Sequence, residues 1–254
     1  MTRAVRLRVA YDGTDFRGWQ RQDGPAGSGA RSVQGCLEAA LARMHKRPVA
    51  AAGAGRTDSG VHAAGQVASF GTDIAGMDAA RFAPALNGLL PRDVRVVEAR
   101  EVSPGFHARL DASSRTYRYH FVCGRQALPH EGRYALWVRR RPRVALLNAY
   151  CRLLLGERDF SAFASAGDPS LSRFRHVSRA FFFPAGDSLV FEISANAFLW
   201  KMVRSVAGTL MRCEERSDRP EALRDVIASG DRSLAGPTLP ARGLFLWGVG
   251  YHRG

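Results

Sequence analysis

Gly55-Arg56-Thr57-Asp58-Ser59-Gly60-Val61-His62 lies between two apolar, strand-like runs, residues 49–52 before it and 67–70 after it. One carboxylate, Asp58, has an arginine two residues ahead and a histidine four behind. Glycines on both sides let the backbone turn tightly and approach a ligand closely. A reactive group on a loop held between strands is a common way to build an active site. Asp, Ser and Gly are also ordinary turn residues, and the octapeptide alone reads more readily as a connecting turn.

Working outward, Val5, Leu7, Val9 and Tyr11 alternate with Arg6, Arg8 and Ala10, the period-two pattern of a half-buried strand. Residues 12–15 end it. The run Phe16-Arg17-Gly18-Trp19-Gln20-Arg21-Gln22 reads as exposed, aromatic and cationic, which suits RNA contact: Trp19 stacks on a base and Arg21 reaches phosphate. Trp19 reads equally well as a packed anchor. Residues 23–30 form a flexible loop. Ser32 caps a helix with Val33, Leu37, Ala40, Leu41 and Met44 on one face, closed by Pro48. Strands at 49–52 and 65–70 flank the Asp58 loop. Asp78 opens a second helix with Phe82, Ala85, Leu86 and Leu89 inward, Pro91 stops it, and Val94–Val102 is a strand. Strand, helix, strand, strand, helix, strand is the ferredoxin-like order.

The second half repeats that order. Residues 116–122 form a strand with Tyr117, Tyr119 and Phe121 on one face, and residues 124–133 a long loop. A helix carries Val144, Leu147, Tyr150, Cys151 and Leu154 and ends at Gly156. Strands at 175–183 and 188–194 are joined by a turn, helices span 199–213 and 220–228, and Leu244–Tyr251 is the last strand. The fold class is α+β, with an N-terminal domain over 1–104 and a C-terminal domain over 105–254.

The 254 residues are 46% hydrophobic, a globular composition. No run of about 18 apolar residues marks a membrane span, and the N-terminus lacks the apolar core of a signal peptide. Cys36, Cys123, Cys151 and Cys213 are widely spaced, which argues against zinc and for a reducing, cytoplasmic setting. Net charge is +14, and of 37 basic residues only Lys46 and Lys201 are lysine. A GC-rich genome produces such a bias by itself. Arginine also binds phosphate bidentately and stacks on bases, so the excess suits nucleic acid. No amphipathic basic helix supports a membrane surface.

Two further segments bear on Asp58. Tyr117 lies in Ser114-Arg115-Thr116-Tyr117-Arg118-Tyr119, an aromatic strand lined with arginine. Arg204 lies in Phe198-Leu199-Trp200-Lys201-Met202-Val203-Arg204, on a largely apolar helix. An arginine so placed snorkels outward or, less commonly, pairs with a buried carboxylate. Tyr117 taken alone is a core residue more often than a catalytic one.

These segments, together with Tyr11-Asp12-Gly13, Gly18-Trp19-Gln20-Arg21-Gln22, Gly65-Gln66-Val67, Arg158-Asp159-Phe160-Ser161-Ala162-Phe163, Gly208-Thr209-Leu210, Gly236-Pro237-Thr238 and Arg242-Gly243-Leu244, resemble the tRNA pseudouridine synthase A family. The likeness runs from the first strand to the last, and the Gly55–His62 block is its most specific part. Trp200-Lys201 departs from a pair often occupied by histidine, and the 24–30 loop is longer than usual.

The resemblance implies two ferredoxin-like or RRM-like subdomains with antiparallel sheets joined around a central basic cleft. It implies conversion of uridine to pseudouridine at positions 38, 39 and 40 of the tRNA anticodon stem-loop, by a homodimer, with no metal and no cofactor. Asp58 is the expected nucleophile, at ribose C1′ or uracil C6; both remain open. Arg204 is assigned as its ion-pair partner, Tyr117 as the residue packing on the base with its phenol as a candidate proton acceptor, and Arg56 as the one filling or holding open the place of the flipped-out nucleotide. Arg21, Gln22, His62, Trp19 and Arg115 are the expected substrate contacts, although His62 serves equally as a brace for the loop.

Two rivals remain. A non-catalytic protein with two RRM-like units fits the charge and topology, but the chain lacks a Gly-Phe-Gly-Phe-type strand. A glycosidase or nucleosidase using Asp58 normally needs a second carboxylate, and none stands out.

Overall fold

In a computed structural model describing residues 3–22 and 30–252, the elements run β1 (Arg3–Tyr11), α1 (Val33–His45), β2 (Ala52–Gly53), β3 (His62–Thr72), α2 (Phe82–Asn87), β4 (Val94–Val102), β5 (Ala112–Cys123) and β6 (Leu136–Val138). They continue with α3 (Val144–Arg152), β7 (Gly156–Asp159), β8 (Phe174–Ala185), β9 (Ser188–Ala195), α4 (Met202–Arg216), α5 (Pro220–Ser229) and β10 (Leu244–Tyr251). The fold is α+β, with strands that pair mostly antiparallel. Among the described residues no helix is long and apolar enough to cross a membrane.

The chain divides into two units, residues 1–113 with 245–254, and residues 114–244. The sequence boundary at 104 lies within the first of these. The last strand, Leu244 apart, belongs to the first unit, where Phe245 and Leu246 pair in parallel with His62 and Ala63.

In the first unit β1 is the centre. It pairs antiparallel with β3, Leu7 opposite Ala68, and with β4, Leu7 opposite Ala99. β2 pairs antiparallel with β3, giving the ferredoxin-like order β4-β1-β3-β2. The alternation in β1 works as expected: Val5, Leu7, Val9 and Tyr11 are buried, whereas Arg8 is exposed. Leu37 and Leu41 of α1 and Phe82 and Leu86 of α2 are also fully buried, each side chain contributing roughly 1.5–3 kcal/mol by leaving water. Ser32 caps α1 by accepting the Gly35 N–H, and the helix ends at left-handed Lys46, two residues before Pro48.

The second unit repeats the pattern with β5, α3, β8, β9 and α4. β9 lies between β5 and β8, β7 extends the sheet beyond β8, and β6 pairs with β5. β5 carries Tyr117, Tyr119 and Phe121 inward, as their alternation requires. Helix α4 is buried on most of its circumference, because Ser205, Ala207, Gly208 and Thr209 leave room for chain to pack closely against it.

Two sequence readings are corrected. The run 16–22 is not an exposed loop throughout: Phe16 and Trp19 are both 2% exposed, although Arg21 and Gln22 face solvent. The strand expected over 49–52 shortens to Ala52–Gly53. The flexible loop expected at 23–30 falls, except for Ala30, outside the described residues.

Candidate active site

The loop carrying Asp58 joins β2 to β3, and its backbone is tied down along its length by the segment that follows β1. Trp19 N–H donates to the Thr57 carbonyl (3.1 Å), and Tyr11 Oη lies 2.8 Å from Thr57 Oγ1 inside the core. Gly60 N–H and the Ser59 hydroxyl both donate to the Phe16 carbonyl, at 3.3 and 3.2 Å. Gln66 Nε2 donates to the Gly55 carbonyl (2.7 Å), and Val61 N–H to the carbonyl of Asp58 itself (3.1 Å). The β1–β3 register slips between Val9 and Tyr11, where β1 meets this loop. Bulges of this kind re-aim side chains beside functional sites.

Close approach makes this possible. Gly18 has φ +93°, and a Cβ there would stand 2.4 Å from the Thr57 carbonyl oxygen, so only glycine lets the two segments meet. Thr57 is buried between exposed Arg56 and half-buried Asp58. The carboxylate is therefore offered from a backbone held before any substrate arrives, the arrangement that makes a reactive group effective. Burial pushes the Tyr11 phenol well above its ordinary pKa, against the pull of its hydrogen bonds to Thr57 and Gln66; it remains protonated and available to Thr57.

His62 is completely buried. Its Nδ1 accepts the Gly13 N–H at 3.0 Å, and its ring stacks on Phe245 with centroids 4.6 Å apart. Asp12 Oδ1 lies 3.2 Å from the same nitrogen, but an Nδ1 that takes the Gly13 hydrogen bond has no proton to give Asp12. The expectation of RNA contact is corrected: His62 braces the loop. Trp19 is corrected likewise, as a packed anchor with its ring 6.1 Å from that of Tyr11 and no open face for a base. Arg21 keeps an exposed side chain while Nη1 pairs with Glu38 Oε2 at 2.6 Å. Gln22 is exposed, as is Arg56.

The other expected residues belong to the second unit. Tyr117 is buried, edge-on to Phe198 with centroids 5.1 Å apart. Arg115 Nη1 donates to the Asn196 carbonyl at 2.8 Å. Arg204, in the first turn of α4, donates through Nε to the Leu239 carbonyl (2.6 Å), and its own carbonyl accepts the Leu239 N–H (3.3 Å). This exchange exists because residues 235–239 lie directly on α4. A Cβ at Gly208 would stand 1.9 Å from the Pro237 oxygen, while Gly236 N–H donates to Thr209 Oγ1 and Ser205 Oγ meets Thr238 Oγ1. Arg204 is held by backbone rather than snorkelling freely. Burial raises the Tyr119 phenol pKa, and the nearby Arg204 and Arg242 charges temper the rise.

Sequence reasoning missed the polar supports. Glu38 is buried on α1 and accepts from Arg21, from Gln34 Nε2 (3.0 Å) and from Ala51 N–H (3.1 Å) at the approach to β2. Gln34 and Glu38 at i and i+4, with Glu38 next to inward Leu37, were the available signal. Among the described residues no group of three or more His, Cys, Asp or Glu side chains is placed to hold a metal ion.

The sequence matches the family model described as tRNA pseudouridine synthase over residues 8–111 and 150–252. It is 50% identical over 247 residues to the tRNA pseudouridine synthase A of Treponema denticola, covering 97% of this chain and 92% of that protein. Proteins of the same name from Solidesulfovibrio magneticus and Geobacillus kaustophilus are 43% and 38% identical, over 97% and 99% of this chain and 90% and 95% of their own lengths.

Proposed function

The chain belongs to the tRNA pseudouridine synthase family and is an isomerase acting on tRNA, and we propose that its substrates are uridines 38, 39 and 40 of the anticodon stem-loop, with Asp58 as the nucleophile. The observation that carries this reading is the Asp58 loop, whose backbone is fixed by Phe16, Trp19 and Gln66 and whose Thr57 side chain is held by Tyr11, while Arg56 faces solvent.

A uridine in a stem or stacked loop hides its glycosidic bond, so the nucleotide leaves its stack first, with Arg56 occupying the vacated place. Asp58 then forms a transient bond to ribose C1′ or uracil C6, dividing one difficult displacement into easier steps. The N1–C1′ bond breaks, the uracil turns, C5 bonds to C1′, and the bond to Asp58 is released so that the carboxylate is restored. C5 gives up its proton and N1 gains one, so the product is an isomer of the substrate. Tyr117 packs against the base, and its phenol oxygen stands as the acceptor for the proton leaving C5 as its own hydroxyl proton passes on toward N1. Arg204 supplies the positive charge that pairs with Asp58. Arg21, Gln22 and Arg115 contact the RNA.

One enzyme serving three adjacent positions reads tRNA shape and backbone more than base edges, which an arginine-rich surface supports. The assembly is a homodimer with tRNA spanning both subunits. Its four cysteines are free thiols, in keeping with the cytoplasm.

The test is incubation with tRNA carrying tritium at uracil C5. Wild-type protein is expected to release tritium to water, and Asp58→Ala to bind the same tRNA with no release. Binding by the wild type without release supports an RNA-binding module instead; free uracil as product supports a nucleosidase.

A further inference from the structure

Helix α4 carries Arg204 in its first turn, yet its own sequence gives it no cap. Lys201 occupies the cap position in a left-handed conformation (φ +61°), its side chain makes no hydrogen bond that caps the helix, and the first turn contains no acidic residue. The missing anchor comes from Asp168, on the loop between β7 and β8. The Asp168 side chain is 2% exposed, and its Oδ2 accepts the Trp200 N–H immediately ahead of the helix. Oδ1 accepts the Ser170 N–H at 2.8 Å, and Arg173 Nη1 stands 2.7 Å from it, an ion pair whose angle falls short of a hydrogen bond. Ser165 links the same two segments, accepting the Asp168 N–H (3.0 Å) and donating to the Trp200 carbonyl (3.1 Å).

The turn so held, residues 198–201, packs against one of the residues proposed for the chemistry in this unit and leads directly to the other. At one end Phe198 abuts the Tyr117 ring. At the other, Lys201 leads into α4, its carbonyl accepting the Ser205 N–H at 3.0 Å, and Arg204 follows two residues inside the helix. Burial pushes the Asp168 carboxyl up, but the Trp200 and Ser170 donors and the Arg173 charge more than reverse this, leaving the group below its ordinary value. A buried carboxylate just ahead of a helix N-terminus also meets the positive end of the helix dipole.

We infer that Asp168 is a positioning residue for the isomerisation: its carboxylate holds the 198–201 turn in the setting that seats Phe198 against Tyr117 and fixes where Arg204 enters α4. The inference rests on the roles proposed above for Tyr117 and Arg204. Asp168 touches neither residue and acts only through the turn, so its loss acts on the rate and spares substrate capture.

The test compares Asp168→Asn, Asp168→Glu and Arg173→Gln in the full chain, measuring tritium release against tRNA concentration and thermal melting for each. Asp168→Glu keeps the charge but displaces the oxygen, and Arg173→Gln leaves the Trp200 hydrogen bond in place. Both Asp168 variants are expected to lose about 10- to 100-fold in kcat, the usual consequence of a displaced catalytic geometry, with KM unchanged within about twofold. Arg173→Gln is expected to melt earlier and keep kcat within about twofold. Should Asp168→Asn fail to fold, Asp168→Glu and Arg173→Gln decide the matter. Full activity in Asp168→Glu overturns the inference, as does a fall in kcat that tracks melting temperature across all the variants. Wild-type protein that binds tRNA but releases no tritium overturns the parent functional reading before any variant is compared, and this inference falls with it.

Discussion

At the scale of single residues, the Asp58 loop depends on a few buried polar contacts made by side chains without any part in the chemistry. Tyr11 and Thr57 are 46 residues apart and share one hydrogen bond in the core. Tyr11→Phe keeps the ring and removes the hydroxyl, leaving Thr57 Oγ1 buried without it, at an expected cost of about 1–3 kcal/mol. Chemical unfolding should show that loss, and tritium release should slow further than tRNA affinity falls. Unchanged stability together with unchanged rate would show that the bond does not hold the loop. The same contacts explain why the octapeptide was legible as a polar loop between strands while its surroundings were not. Gly55–His62 has a distinctive composition. Trp19, in contrast, sits in an aperiodic run whose burial is created by chain arriving from Gly53 and Thr57, more than thirty residues later. His62 is similar: nothing local shows that its ring will be covered by Phe245.

Between elements, the decisive contact is the seating of residues 235–239 on α4, which gives Arg204 its carbonyl partner. Gly208→Ala puts a methyl carbon where the Pro237 oxygen already lies, and one of the two segments must move. Overpacking of this kind costs about 1–3 kcal/mol. Activity should fall further than that stability loss implies, because Leu239 leaves Arg204. Gly76→Ala, with nothing within 4 Å of the new carbon, is the matched control and should leave melting and tritium release unaltered. The strands and helices with clear periodicity were legible: Val94–Val102 and Leu244–Tyr251 run between the residues expected. β6 and β7 were not, since three residues, or the polar run Gly-Glu-Arg-Asp, contain too little alternation to mark a strand. The start of α4 was expected near 199 and falls at Met202, behind left-handed Lys201 and a turn whose Trp200 N–H is taken by Asp168.

The far end of α4 gives a pH dependence. Glu214 is 1% exposed in its side chain and accepts from Arg140 Nη1 and Nη2 (3.0 and 2.6 Å) and from Arg143 N–H and Nε (3.0 and 2.8 Å). Burial alone pushes this carboxyl up, but the two arginines prevail and hold it at about 2, below its ordinary 4.5. A carboxyl with a depressed folded pKa stabilises the fold fully above its unfolded value and loses that contribution as pH falls through the folded one. Glu214→Gln should therefore be less stable than wild type at pH 7, by about 3 kcal/mol. The gap should close between pH 4.5 and 2 as wild type loses its advantage. Urea unfolding at a series of pH values reads this directly; a gap of constant size across the range would place the stabilisation elsewhere.

For the whole molecule the governing quantity is charge. With 37 basic and 23 acidic residues, the net +14 survives however many carboxylates are paired, and several of the most buried ones already are. That excess was legible from composition alone, whereas the return of β10 to pair with β3 was not, since a strand's alternation carries no record of its partner. A surplus of this size acts on any polyanion without regard to sequence, because its attraction comes from releasing counterions. It should therefore govern capture of tRNA and have little influence on the chemistry proposed at Asp58, whose loop is held by neutral hydrogen bonds of 2.7–3.3 Å. These two roles separate with salt. If about five phosphates are neutralised, each adding roughly −0.7, the logarithm of tRNA affinity should fall against the logarithm of salt with a slope of roughly −3.5. Over the same range, tritium release at saturating tRNA should change by no more than about twofold, because salt screens exposed charges far more than buried contacts. A flat affinity would mean that the arginine excess is not the tRNA-capturing surface. A saturated rate that declined in step with affinity would mean that solvent-exposed charge, and not the fixed loop, controls the step at the carboxylate.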